Sequence, residues 1–195
     1  MIIKSFELEK FKIKVGFFLF YGENQGHKNE VIKNKFQIKH KESTYKYDEN
    51  EILNNQENFF NNILSKSFFE SEKLIIINRV TDKILNVIEE LFEKKIEDLV
   101  VILNANILEK KSKIRSLFEK SKEAVCVAFY EDNGQTLSSI ANNFFRTSKI
   151  PISQEAINLI VQRVRGDRLN LRFDYYLHKM EHNMCFYLFQ IKILF

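Results

Sequence analysis

Proline is almost missing from this chain. One residue, Pro151, serves 195 positions, and there are five glycines, two cysteines and no tryptophan. No low-complexity linker and no repeat interrupts the sequence. Two cysteines, Cys126 and Cys185, cannot form a disulfide framework or a four-ligand zinc site on their own, so a reducing compartment follows. No apolar run is long enough to cross a bilayer. The most apolar stretch, Met184 to Phe195, is short and carries Gln190 and Lys192. Met1-Ile2-Ile3-Lys4 lacks the apolar length of a signal peptide, and Glu7 and Glu9 follow at once. A cytoplasmic protein with no membrane partner is expected.

What is present is ordinary in class and skewed in detail. Hydrophobic residues make up 45% and charged residues 29%, which excludes wholesale disorder. A chain of this length buries roughly 70% of its unfolded surface. That suits one large domain, or one with a small appendage. Nineteen Phe stand beside abundant Lys, Asn and Ile, as AT-rich coding would give, so a single Phe or Lys carries little weight. The formal charge of +4 gives only a mild preference for acidic partners.

Strand and helix signals alternate along the first two thirds. Phe17 to Tyr21 is a short apolar run ending at Gly22, and a polar helix follows from about Gly26 to Ile38. Ser43 to Tyr47 reads as an edge-like strand, and a helix over Glu57 to Leu64 would bury Phe59, Phe60, Ile63 and Leu64. Leu74-Ile77, Leu99-Leu103 and Val125-Phe129 are continuous apolar runs, which imply strands covered on both faces and hence a parallel sheet. Ile84, Val87, Ile88 and Leu91 make one helical stripe between them, and Ile114, Leu117 and Phe118 another. The expected class is α/β, a doubly wound parallel sheet.

After Phe129 only helices are expected. Thr136 to Arg146 is one. Ser153 is placed as the N-cap of the next, with Ile152 and Ile157 as a hydrophobic staple and Ile157, Ile160, Val161 and Val164 as its stripe. Gly166 would end it, and a third would start near Asp167. The expected division is an α/β domain over 1–133, a small helical lid over 134–180, and a tail over 181–195.

An α/β layer followed by a helical lid is the plan of many nucleotide-driven motors. Phosphate would bind in the turn after the first strand, against backbone N–H groups. Here that turn reads Gly22-Glu23-Asn24-Gln25-Gly26-His27-Lys28-Asn29. A working phosphate loop has four spacers between its glycines, then Lys, then Ser or Thr for magnesium. This one has three spacers, His27 in place of the lysine, and Asn29 after Lys28. The central strands end in Asn78-Arg79 and Asn104-Ala105, with no carboxylate to hold magnesium. A degenerate loop around Gly22, Gly26 and Lys28 that does not bind ATP is expected, with its glycines serving a tight turn and with no cofactor or metal.

Other chemistry is sparse. His178 and His182 stand at i, i+4, but Glu181 precedes the second His rather than following the first, which is not the zincin order. Cys126 lies mid-strand as a core residue. No catalytic triad is visible.

Several segments, in order, resemble the delta subunit family of the bacterial DNA polymerase III clamp loader. Phe18-Leu19-Phe20-Tyr21-Gly22-Glu23 is similar to its first strand and degenerate phosphate turn. The segment from Ser67 to Ile77 is similar to its short helix entering the central strand. Leu108-Glu109-Lys110-Lys111-Ser112-Lys113-Ile114-Arg115 resembles its Leu-Asp-x-Arg-Ser-Lys-Leu-Arg segment. Ile152-Ser153-Gln154-Glu155-Ala156 and Gly166-Asp167-Arg168-Leu169-Asn170-Leu171-Arg172 are similar to its helical second domain. The match spans about residues 1 to 172.

The resemblance implies an AAA+ architecture and a subunit with no catalysis of its own, inside a DNA-directed DNA polymerase (nucleotidyltransferase) holoenzyme. Its partners would be the beta sliding clamp, which it opens, the gamma/tau and delta prime subunits, and primed DNA. It makes Phe68 and Phe69, with Ser67 beside them, the clamp contact, where two exposed aromatic side chains supply a hot spot. From spacing alone, the two rings read as caps of the core beneath the strand, and Phe69 is the one that can turn inward. The stretch from Lys28 to Lys46 holds six Lys and two Glu, a solvated face rather than a DNA contact on this reading. Arg163, Arg165, Arg168 and Arg172 could meet DNA or a neighbouring subunit. Delta subunits continue into a collar domain, whereas the sequence from Phe173 to Phe195 matches none of it, as a truncated or frame-shifted product would. The alternative reading is a divergent nucleotide-binding ATPase built on the loop from Gly22 to Lys28.

Overall fold

The computed structural model describes residues 1–8, 16–65, 72–164, 166, 168, 170 and 171. Described residues fall into two compact units. The first is Met1–Glu23 with Lys28–Phe129, and the second is Asn24–His27 with the chain from Tyr130 onward.

Six parallel strands form the first unit's sheet. They are β1 (Ile2–Lys4), β2 (Phe17–Tyr21), β3 (Thr44–Asp48), β4 (Lys73–Val80), β5 (Leu99–Ala105) and β6 (Ala124–Ala128), in the spatial order β1-β6-β2-β5-β4-β3. The helices of the unit are α1 (Ser5–Leu8), α2 (Gln25–Val31), α3 (Glu49–Asn54), α4 (Gln56–Leu64), α5 (Leu85–Lys94) and α6 (Lys113–Lys120). The first three residues of α2 belong to the second unit.

Which face each helix covers follows from chain direction. Crossovers between parallel strands are right-handed, so connections running opposite ways along the sheet lie on opposite faces. The steps β1→β2 and β2→β3 run one way. The steps β3→β4, β4→β5 and β5→β6 run the other. Accordingly Leu8 of α1 and Val31, Ile32 and Phe36 pack with Phe18, Phe20, Ile76 and Ile102 on one face. Side chains of α3 to α6, among them Phe59, Ile88, Leu91 and Phe118, pack with Leu19, Ile75, Val101 and Cys126 on the other. The continuous apolar runs are strands buried on both sides, and every residue of β5 is buried.

Three details differ from the sequence reading. Ile2–Lys4 forms a strand, held beside β6 by the register Ile2 to Cys126, although three residues are too short to show a pattern. The helix expected over Gly26 to Ile38 changes at Ile32 to a wider π-type turn through Gln37, with the Ile38 amide donating to the Lys33 carbonyl five residues back at 3.2 Å. Leu64, expected inside, is 49% exposed.

The second unit packs α7 (Gly134–Thr147) on α8 (Gln154–Val164), burying Leu137, Ala141, Phe145, Ile157, Val164 and Leu171. The Asn133 side chain caps α7 by accepting the Thr136 amide at 2.8 Å. Ser153 Oγ accepts the Ala156 amide at 3.2 Å, and both staple residues, Ile152 and Ile157, reach this core. Arg168, Asn170 and Leu171 are helical, and Asp167 lies outside the described residues.

Candidate functional site

Parallel α/β sheets bind ligands at the carboxyl ends of their strands, where the strand order reverses. Here that place is the end of β2, between β5 and β6. The loop that follows β2 is divided: Gly22, Glu23 and Lys28 belong to the first unit and Asn24–His27 to the second.

In the first unit Gly22 makes the turn. Its φ is +121°, its amide donates to the Asn106 carbonyl at 3.0 Å, and a Cβ there would lie 2.2 Å from the Phe129 carbonyl oxygen. Only glycine fits that space and that φ. Gly26 is different, since it sits within the first turn of α2. Lys28 is fully buried. Its Nζ donates to the carbonyl oxygens of Gly22 at 3.0 Å and Ala105 at 2.6 Å. The ammonium therefore ties the ends of β2 and β5 together, and a buried charge needs such hydrogen bonds to offset its lost hydration. In a working phosphate loop the lysine reaches toward the phosphates. Here it points at the protein's own carbonyls.

The ends of β4 and β5 carry amides where acids would serve magnesium. Asn78 and Asn104 stand opposite each other in register, and Asn104 Nδ2 donates to Asn78 Oδ1 at 3.1 Å. Asn104 Oδ1 is buried with no hydrogen-bond partner among the described residues. Asp82, just past β4, is a carboxylate the sequence reading did not weigh. It does structural work: its Oδ1 accepts Ser112 Oγ at 2.7 Å and the Ile114 amide at 3.0 Å, at the start of α6. Burial pushes the Asp82 carboxyl up, but the hydrogen bonds from Ile114, Ser112 and Lys113 and the Lys113 charge hold it below the usual value.

In the second unit Asn24 is fully buried and uses all its side-chain hydrogen-bonding groups. Oδ1 accepts the His27 amide at 3.0 Å, while Nδ2 donates to the Tyr130 carbonyl at 3.1 Å and to Asp132 Oδ2 at 2.8 Å. Arg168 grips the same carboxylate, Nε on Oδ2 at 2.7 Å and Nη2 on Oδ1 at 3.0 Å. The Asp132 amide donates to the Gly166 carbonyl at 3.0 Å. Gly166 has φ +83°, and a Cβ there would meet the Glu131 Cβ at 2.8 Å. Burial raises the Asp132 pKa, but the hydrogen bonds from Arg168 and Asn24, with the Arg168 and His27 charges, more than offset it and leave the carboxyl lowered.

Arg163 is exposed on α8, and Arg168 is spent on Asp132 rather than presented outward. Ser67, Phe68, Phe69, Arg165, Arg172, His178, His182, Cys185 and the tail over 181–195 lie outside the described residues. Cys126 is buried in β6, where burial chiefly and the Glu119 charge push its thiol up to about 12. Asp132, like Asp82, is a residue sequence reasoning missed; it sits at the expected domain boundary, with no motif to mark it.

Comparisons with known proteins give a fold and stop there. No family model and no curated protein matches the chain. Solved structures do. The Bacillus subtilis DNA clamp loader delta protein aligns over 86% of this chain and 54% of its own, with a TM-score of 0.55 and 17% identity. A Thermotoga maritima RuvB mutant aligns over 92% and 61%, with a TM-score of 0.61 and 13% identity. Domain III of the Thermotoga maritima replication initiation protein DnaA aligns over 92% and 82%, with a TM-score of 0.51 and 17% identity. The fold is of the AAA+ type. This chain spans about half the length of the clamp loader delta protein. Among the described residues no helix is long and apolar enough to cross a membrane.

Proposed function

We propose that this chain is a clamp-loader subunit of the delta kind, which binds the beta sliding clamp and opens it for loading onto primed DNA while sister subunits turn over ATP. One observation carries the reading. Lys28, the sole lysine of the phosphate turn, is buried on the carbonyls of Gly22 and Ala105, so an AAA+ scaffold is present without the loop chemistry that would drive it. Such a scaffold acts by binding. The likeness in fold to a clamp loader delta protein supports this reading, and the partner is taken from the sequence resemblance alone.

Phe68 and Phe69, with Ser67, are the proposed clamp contact. They lie in the segment between α4 and β4, and two aromatic anchors entering a preformed pocket would supply most of the binding energy. Arg163, Arg165 and Arg172 are the proposed contacts with DNA or with the gamma/tau and delta prime subunits. Arg168 is not among them, because its guanidinium holds Asp132.

The test is co-elution of the chain with the beta clamp of its own organism. The original chain co-elutes, and joint replacement Phe68→Ala and Phe69→Ala weakens binding about a hundredfold or more, equivalent to roughly 3 kcal/mol. A doubly substituted chain that holds the clamp unchanged removes the site. Absence of any clamp complex, together with ATP turnover by the isolated chain, would favour a divergent ATPase instead.

A further inference from the structure

The turns that follow β4 and β5 enclose a groove of 480 Å³, lined by residues 79–83 and 106–112 and lying wholly within the first unit. Ile107 stands in it 64% exposed, with Leu108 half-buried alongside. Its neighbours are fixed. The Asn106 carbonyl accepts the Gly22 amide at 3.0 Å, and the Leu108 carbonyl accepts Arg115 Nη1 at 3.1 Å. On the β4 side the strand pairing is irregular between Asn78 and Val80, and Arg79 takes φ +57°, in the left-handed region that favours glycine. The Arg79 side chain is turned out to solvent, 70% exposed, where it pairs with Asp48. An apolar side chain held in water by anchored neighbours is preorganised for a contact.

The charges around Ile107 are mostly positive. Arg79, Lys83 and Lys111 line the groove, and Lys110 and Lys113 are exposed next to it in sequence. Three carboxylates oppose these five cations. Asp48 meets Arg79, Glu109 meets Lys111 at 2.9 Å, and Asp82 is turned onto Ser112 Oγ and the Ile114 amide. Lys83 and Lys110 have no ion-pair partner among the described residues. No aromatic side chain lines the groove among the described residues, so the stacking platform that single-stranded nucleic acid needs is missing.

We propose that this groove docks an acidic peptide segment of a partner protein, seating one aliphatic or aromatic side chain on Ile107 and Leu108 and its carboxylates on Lys83, Lys111 and Arg79. The apolar contact supplies the anchor, and the cations steer acidic segments in and turn basic ones away. The groove follows β4, whereas the proposed clamp contact precedes it, so the two readings stand or fall separately.

The test is fluorescence anisotropy on the full chain with a labelled Asp-Asp-Leu-Phe-Asp-Asp peptide. Lys-Lys-Leu-Phe-Lys-Lys and an oligothymidylate of equal charge serve as rivals. The acidic peptide should bind saturably, at least about tenfold more tightly than either rival, and less tightly as salt rises. Ile107→Ser should weaken it about tenfold, as should Lys83→Glu with Lys111→Glu, while the unfolding midpoint stays put because all three side chains are exposed. If the charge-reversed chain fails to fold, Ile107→Ser decides alone. Absence of saturable binding, equal binding of the basic peptide, or an Ile107→Ser chain that binds as the original does overturns the proposal. Tighter binding of the oligonucleotide assigns the surface to nucleic acid instead. Self-association of the chain that Ile107→Ser abolishes in sedimentation assigns it to a second copy, and either result also overturns the proposal.

Discussion

Lys28 in the first unit and Arg168 in the second are both cations drawn inward, and they are held by opposite means. Lys28 is satisfied by main-chain carbonyls at the ends of two strands, partners that no side-chain substitution removes. Arg168 is satisfied by a side-chain carboxylate, Asp132, which a single substitution deletes or neutralises. The first arrangement is built into the sheet, whereas the second is a removable contact.

The largest effect should come from breaking the second arrangement on one side. Arg168→Ala strands a nearly buried carboxylate and should cost about 3 kcal/mol or more in denaturant unfolding. Gly22→Ala sets a Cβ against the Phe129 carbonyl at a positive φ, and should cost a comparable amount, about 2–4 kcal/mol, in the first unit. Lys28→Met keeps the volume but leaves the Gly22 and Ala105 carbonyls short of a donor, and about 2 kcal/mol should be lost. Hydrogen exchange separates these outcomes. Amides of β5 should exchange faster in the Gly22 and Lys28 variants and those of α7 in the Arg168 variant. Equal acceleration everywhere would mean the two units unfold as one.

Acid sharpens the same contrast by a smaller amount. The Asp132 carboxyl is lowered in the folded chain, so its contribution to stability is complete above the ordinary value of 3.8 and is lost as pH falls from there through the folded value. Protection of α7 should decline over that window in the original chain and be flatter in Asp132→Asn. Asp82 gives the first unit a similar acid limb, for the same reason of sign. At neutral pH the smallest signal is the Cys126 thiol, raised to about 12 and buried. In a Cys185→Ser background it should react with a thiol reagent only as fast as the first unit opens.

Much of the fold was legible, and where it was not the reasons are physical. Runs such as Leu99–Leu103 announce doubly covered strands because nothing in them alternates, and three such runs separated by helical stripes imply a parallel sheet. Ile2–Lys4 was invisible because a three-residue edge strand is created by its neighbour β6, not by its own pattern. The departure of Gly22–Asn29 from the phosphate-loop pattern was readable from spacing, but the direction of Lys28 was not, since that depends on where the β5 carbonyls lie. Asp132 was silent for a like reason. A lone acid in a linker acquires meaning only when Asn24 and Arg168 are brought to it, from 108 residues upstream and 36 downstream.

A phosphate turn whose lysine is held on main-chain carbonyls should bind no nucleotide. Titrating the intact chain with Mg·ATP in a calorimeter tests that most directly. No saturable heat should appear up to about millimolar nucleotide, an affinity weaker than roughly −4 kcal/mol. Saturable binding in the micromolar range, lost on Lys28→Met, would contradict it.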